Sequence, residues 1–429
     1  MGPQIQFYKQ SFSATVRRML RRLRAALLVL FAVFVLFAVF VLYLVVGFVG
    51  FGYATWRVRQ ANQAWASSFE SMESFAARFP QRPTSSAAWQ LHELTQPLGI
   101  DMVGETAKSD RLKDIGVFVG AQGLVADDAI RTPPAEVTQF LAEHARHLDA
   151  IEAYLLAGSE LFWERNLNAG YAEPHPDFRG HIYLQGLLLA HTIEEGRRGH
   201  FAKADKSLEA SWILNQSLAG RHELIAQLVV LSIAATENGA LRLLPSSPVR
   251  WTERLLAQDF PAAFLRAFQA EAFLFTHPGE GVRGVSPFSL VTTKLSMAEY
   301  SKRVRMTAEL FHNQDDPCSL DFQAVSQANE EALPGLLART AIRDLPRVWG
   351  GVTAIRLDGE FTRLVIEARR NSGDIVHAHA SPVASTVCKG VSWIRTNSND
   401  GKVTIAARPE RLRDEVSTRD WIFSFGPRS

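Results

Sequence analysis

The sequence predicts a mainly α-helical protein. A single N-terminal transmembrane helix leads into an exported helical domain of αα-hairpins, and a small β-hairpin ends the chain. Three observations predict this. The run Ala25–Ala54 is almost wholly Leu, Val, Phe, Ala and Gly, with no acid or base between Arg24 and Arg57. Beyond it, apolar residues recur at spacings of three and four, the period of a helix with one buried face. The last stretch turns to short β-branched and aromatic runs around Asn397-Ser-Asn-Asp-Gly401, a hairpin signal.

The apolar run sets the topology. A hydrocarbon core about 30 Å thick needs roughly 20 helical residues, and this run is longer. Tyr43, Tyr53 and Trp56 lie toward its far end, where amphipathic rings suit the membrane interface. Lys9, Arg17, Arg18, Arg21, Arg22 and Arg24 precede it with no acid among them. Positive flanks stay in the cytoplasm, so the expected orientation is N-terminus inside and the rest exported. A cleaved signal peptide fits less well, because its apolar stretch is only about 7–15 residues long. Gly50 and Ala54 are a small-xxx-small pair through which two such helices could approach.

Charge narrows the function classes. The 429-residue chain has a formal net charge of +2, and six positive charges lie in residues 1–24. The remainder is therefore mildly acidic, which argues against nucleic acid as a partner. The basic residues are mostly Arg, a habit of GC-rich bacteria, so a bacterial inner membrane with a periplasmic domain is the expected location. The expected divisions are a basic cytoplasmic N-terminus at 1–24, the transmembrane helix at 25–54, a juxtamembrane amphipathic helix and linker at 55–85, the helical exported domain at 86–373 and a β-rich segment at 374–429.

Along the exported part, Val58, Ala61, Trp65, Phe69, Met72, Phe75 and Phe79 share one face, so the membrane helix is expected to continue to Phe79. Thr132-Pro133-Pro134 opens the next strong helix, with Val137, Phe140, Leu141, His144, Leu148, Ile151 and Leu155 as its stripe. After a loop at 166–180, three helices follow over 182–195, 201–218 and 221–244, joined by short turns. Gly199-His-Phe201-Ala-Lys-Ala204-Asp-Lys-Ser-Leu208-Glu-Ala-Ser211 is similar to the second half of a tetratricopeptide repeat. The resemblance covers about half of one repeat, and an array needs at least about three; it implies helical hairpins and no further property. Leu224–Ala235 is apolar but short, with Gln227 inside, and reads as a core helix. Further helices are expected from Pro248, from Asp259 with Pro261, and over 293–311, 320–333 and 352–370. Val391–Thr396 and Lys402–Ala406 make the hairpin, with Trp421–Phe425 as a third short strand.

Few residues carry chemistry. Cys318 and Cys388 are the only thiols, and an even pair in an exported domain points to a disulfide. Closing that loop of about 70 residues stabilises by roughly 4 kcal/mol in the chain-entropy view. The densest polar cluster is Glu173-Pro-His175-Pro-Asp177-Phe-Arg179-Gly-His181, in which His175, Asp177 and His181 are the catalytic candidates. The candidate metal ligands are His144 with His147, one helical turn apart, and His377 with His379 on one side of an extended segment. Gly279-Glu-Gly281-Val-Arg-Gly284 has the letters of a dinucleotide loop but is expected after a Phe-rich helix rather than a strand, so neither nucleotide nor other cofactor is expected. The leading expectation is a membrane-anchored scaffold or assembly accessory without catalysis, whose partners are the lipid bilayer and another envelope protein or a second copy. A ligand-binding or sensory ectodomain, and an envelope hydrolase using the Glu173–His181 loop, are the alternatives.

Overall fold

The structure is a computed structural model of the chain. It describes residues 4–245, 250–277, 287–331, 344–370, 382–398, 402–409 and 421–426. Two compact units divide it, one formed by residues 1–60 with 284–295 and the other by residues 61–283 with 296–429.

In the first unit, helix α1 (Gln4–Ser68) carries the apolar run, and Leu27 to Tyr53 present their large side chains outward. It is a long apolar helix of membrane-crossing length and composition. The small residue Gly50 has its place beside Val291, whose methyl would lie 3.3 Å from an added Cβ. Lys294 Nζ sits 4.1 Å from the Phe51 ring centre and donates to Thr55 Oγ1 at 3.1 Å.

The second unit is helical, with a small sheet. The end of α1 enters its core, where Trp65 is buried and donates from Nε1 to Ser301 Oγ at 3.1 Å. The chain breaks after Ser68, earlier than the periodicity suggests, because Ser71 caps a new short helix α2 (Met72–Ala77) by accepting from Ser74 N. Helices α3 (Ser86–Thr95) and α4 (Asp110–Gly123) follow, capped by Ser85 and Ser109. Neither is foreseen by the sequence reading. The expected helix from Pro134 is two helices, α5 (Ala135–Glu143) and α6 (Ala145–Leu156), with His144 between them at φ −108° and ψ 12°. Pro134, not Thr132, holds the cap position of α5.

Helices α7 (Phe178–Arg197), α8 (Phe201–Ala219) and α9 (Leu224–Leu243) pack on one another through short turns. Gly199 takes φ +81° in the first turn, a left-handed conformation that costs glycine little. Helix α9 is as apolar as a membrane span, but most of it is buried here. Helices α10 (Arg250–Leu256), α11 (Phe260–Thr276), α12 (Pro287–His312), α13 (Phe322–Glu331) and α14 (Leu345–Arg370) complete the helical set. Asp259 caps α11 by accepting from Ala262 N, with Pro261 in the first turn. Both α11 and α14 lie against α9.

Two features bring α4 and α14 onto α9. A Cβ added at Gly239 would lie 2.5 Å from the Gly123 Cα, so the two backbones touch. One turn on, Arg242 Nη1 donates to Asp358 Oδ1 at 2.8 Å and Thr362 Oγ1 at 2.6 Å, and Nη2 to Gly123 O at 3.2 Å. Arg242 and Asp358 are each 1% exposed, so this pair is charge-compensated inside the core.

The C-terminal segment is a four-stranded antiparallel sheet in sequence order: β1 (Val383–Ala384), β2 (Val391–Asn397), β3 (Val403–Pro409) and β4 (Ile422–Phe425). It is larger than the expected hairpin. Val391, Trp393, Val403, Ile405, Phe423 and Phe425 alternate onto its buried face. Trp393 stacks on Phe361 of α14 with centroids 5.2 Å apart.

Gly239→Ala is expected to destabilise the detergent-solubilised chain by about 1–3 kcal/mol, because its methyl meets backbone that cannot give. A Cβ at Gly120 meets nothing within 4 Å, so Gly120→Ala on the same face-to-face pair of helices should stabilise by about 0.5–1 kcal/mol. Thermal unfolding followed by circular dichroism checks both signs.

Candidate functional site

The polar residues of this domain are gathered on α7, α8, α9 and the connectors between them. The first cluster forms where two connectors meet. One is Glu173-Pro174-His175 ahead of α7, and the other is Arg221-His222-Glu223 between α8 and α9. Glu173 Oε2 accepts from His222 Nε2 at 3.0 Å, and Glu173 Oε1 accepts from Asn166 N at 2.7 Å. His175 Nδ1 lies 3.3 Å from Glu223 Oε1. Arg221 grips Glu223 through Nε at 2.9 and 3.0 Å and through Nη2, and it also donates to Glu164 O at 2.6 Å. Glu173, His222 and Glu223 are buried, and His175 forms the exposed rim. Burial alone would raise the Glu223 carboxyl, but the His175 hydrogen bond and the Arg221 charge win and hold it well below the usual carboxylate range.

Two further clusters lie deeper. Ser207 Oγ donates to Glu152 Oε1 at 2.6 Å, and His191 Nδ1 lies 2.6 Å from that same oxygen. His191 Nε2 faces Glu195 Oε1 at 3.5 Å, and Glu195 meets His200 at the surface. The residue types are those of a serine hydrolase, but Ser207 is fully buried and its hydroxyl is engaged by Glu152 and Leu188 O. A substrate carbonyl has no route to it, so these groups pin α6, α7 and α8 together. In the third cluster, Glu237 of α9 accepts from Ser211 Oγ at 2.8 Å and from Asn215 Nδ2 at 3.5 Å. Burial pushes its carboxyl up to about 8.

The catalytic candidates separate in this structure. His175 joins the first cluster. Asp177 caps α7, accepting from Arg179 N at 3.1 Å and, from across the chain, Thr106 N at 2.7 Å. His181 is fully buried edge-on to Trp163 at 5.0 Å, and burial brings its pKa down to about 3, so it is neutral. His144 and His147 have ring centres 6.1 Å apart, and His144 packs on Phe140 at 4.4 Å. His377, His379 and the Gly279–Gly284 loop lie outside the described residues. Arg17, Arg18, Arg21, Arg22 and Arg24 all fall within α1.

Cys318 and Cys388 sit at disulfide distance, with Cα atoms 5.4 Å apart. Asp316 Oδ1 accepts from Cys318 N and Lys389 N, each at 3.2 Å, and so braces both ends of that link.

No family model, curated protein or solved structure matches this chain. Its chemistry therefore rests on these clusters.

Arg221, His222, Glu223, Glu152, His191 and Glu237 escaped the sequence reading. One signal was available for Glu237. It follows buried Val230 and Ile233 at seven and four residues' distance, on the core face of α9. An acid there has to be paired or protonated.

Glu237 makes stability depend on pH. Its folded pKa of about 8 lies above its ordinary 4.5, so the folded state holds a proton that the unfolded chain releases. Stability from this group is complete below pH 4.5 and falls by up to about 1.4 kcal/mol per pH unit until pH passes about 8. Glu237→Gln has no such proton to lose. The variant should gain thermal stability over the parent at pH 7.5–8.5, a gain that shrinks toward pH 5, as melting curves across that range at about 0.5-unit steps will show.

Proposed function

We propose that this protein is a membrane-tethered helical domain of the bacterial envelope that acts by protein contacts, as a scaffold or assembly accessory. The observation that carries the tether is α1. Its apolar residues are exposed over a length that suits a bilayer, and the same helix runs unbroken until Trp65 is buried in the domain core. Basic residues lead it and none interrupts it until Arg57, which favours an inner-membrane anchor with the N-terminus in the cytoplasm and the domain in the periplasm. The Cys318–Cys388 pairing suits an oxidising compartment.

Contact function is supported by how the candidate groups are used. Asp177 caps a helix, His181 is buried and neutral, and Ser207 and His191 are locked inside. On the outside, Val117 of α4 and Leu124 at its C-cap have 62% and 63% of their surface exposed. This pair is the contact point that the reading assigns to a partner. The occupant is another envelope protein or a second copy of the chain.

A ligand-binding reading has one observation in its favour. A cleft of about 320 Å³ lies between α10 and α14, lined by Thr252, Glu253, Arg363, Glu367 and Arg370. That is the lower end of small-molecule sites.

Purification of the full-length protein from native membranes in mild detergent tests the scaffold reading. A partner in stoichiometric amount, or a defined oligomer, is expected. The double variant Val117→Asp, Leu124→Asp should lose that partner while its melting temperature stays within about 2 °C of the parent, since surface changes cost little. A solitary monomer from native membranes, stabilised by a small anionic molecule, would replace this reading with the ligand-binding one.

A further inference from the structure

We propose that the Glu173–His222–Glu223 cluster is a binding site for one divalent transition-metal ion, with zinc the best match, and that His175 closes the site from the solvent side. Ligand atoms of Glu173, His222 and Glu223 all lie within 4.8 Å of one another. The pair Glu173 Oε2 and His222 Nε2, at 3.0 Å, has the separation of neighbouring ligands around a small ion with bonds of about 2.0–2.2 Å, and His175 Nδ1 stands behind Glu223 Oε1 at 3.3 Å as an outer contact. Two carboxylates and one imidazole are a donor set that suits zinc with a fourth position left open.

The surroundings fit this occupant. The two connectors supply all four groups from three-residue stretches, Glu173-Pro174-His175 and Arg221-His222-Glu223, and Pro174 stiffens the first. Arg221 and Arg165 both bring positive charge toward the two carboxylates, so a bound cation competes with two guanidinium groups for them. Arg221 Nε holds both Glu223 oxygens from one side, and Glu173 Oε1 is held by Asn166 N, as outer contacts orient ligands in metal sites. His222 is fully buried, with the T-shaped edge of Phe79 at 5.1 Å, and its Nδ1 has no hydrogen-bond partner among the described residues. On binding, the ion takes the place of the proton that Nε2 shares with Glu173, and the neutral imidazole carries its proton on Nδ1. His175 is the one exposed member of the cluster, so it marks the entry side and positions Glu223 from there. The site ties the segment ahead of α7 to the turn between α8 and α9. The ion's role is thus to fasten further two connectors already joined by the Glu173–His222 and His175–Glu223 contacts and by Arg221.

The test uses the full-length protein in detergent, stripped with a chelator and dialysed, then titrated with Zn²⁺ alone by calorimetry. Binding of about one equivalent per chain and a rise in melting temperature are expected. His175→Ala should weaken binding about tenfold or more while leaving the metal-free melting temperature unchanged, because His175 is at the rim. Glu173→Gln keeps the shape of the cluster and should weaken binding further. His144→Ala with His147→Ala should leave it untouched. Absence of saturable uptake by the folded parent would overturn the proposal and leave an ion-paired clasp. Uptake that His175→Ala and Glu173→Gln both leave unchanged would place the metal elsewhere and overturn it equally.

Discussion

The packing of the helical unit depends on the contact between the end of α4 and α9. At Gly239 the backbone of α9 comes closer to Gly123 than any side chain on residue 239 allows. That approach puts the Gly123 carbonyl within reach of Arg242, whose other nitrogen holds Asp358 and Thr362 of α14. Three helices are thus fixed by one steric condition and one buried cation. Neither works alone. An alanine at Gly239 would lift α4 away, and Gly123 O would lose the donor that satisfies it. Removing Asp358 would leave a guanidinium inside the core with too little to balance it, a cost of several kcal/mol for an unpaired buried charge. The Phe361 ring beneath Arg242, at 5.4 Å, adds to this setting and stands on the same helix that carries the sheet.

The same economy explains the polar clusters. Helices α7, α8 and α9 each turn polar groups inward: His191 and Glu195, Ser207 and Ser211, Glu237 and Arg242. Each is met by a group from a neighbouring helix, so the polar contacts specify which helix lies beside which, and in what register. An apolar face alone would tolerate sliding by a turn. A helix whose Ser207 has to meet Glu152 and whose Ser211 has to meet Glu237 has one position. The burial that makes this pairing exacting also sets the protonation states. It keeps His181 neutral and Glu237 protonated through the range in which an exposed imidazole or carboxyl would carry charge.

Much of the helical order was legible in the sequence, for reasons that show where legibility ends. Asp259 with Pro261 announced α11, because a cap and a first-turn proline act locally. The extent of α8 was clear from its apolar period. By contrast, α4 contains Gly116, Gly120 and Gly123, and its intrinsic helix propensity is poor. The glycine at 239 is required by a contact with Gly123, more than a hundred residues away, so no local reading finds it. The apolar stripe through His144 was real, yet the chain bends there, since the stripe records burial and not continuity. In the candidate site, Glu173 and His175 stood out as part of a crowded loop. Their partners Arg221, His222 and Glu223 looked like an ordinary polar turn, and only the packing of α7 against α8 and α9 brings the two connectors together. Asp177 and His181, neighbours of Glu173 in sequence, went to a helix cap and to the core.

The C-terminal sheet shows how an element too small to stand alone is held. Four short strands, one of only two residues, bury a single apolar face and would be marginal in isolation. That face is given to α14. Phe361 stacks on Trp393 and meets Trp421 edge-on, while Glu360 beside it accepts from Trp393 Nε1 at 2.9 Å and from Thr386 N at 2.7 Å. Aromatic contact and hydrogen bond therefore converge on two adjacent residues of one helix. The Cys318–Cys388 pair, at disulfide distance, joins the β1–β2 connector to the turn before α13, where Asp316 already bridges the two backbones. Because α13 packs on α14, the cysteine pair and the aromatic seat place the sheet against the same helix, and that helix is the one anchored to α9 by Arg242. The sheet is thus tied through α14 to the contact at Gly123 and Gly239.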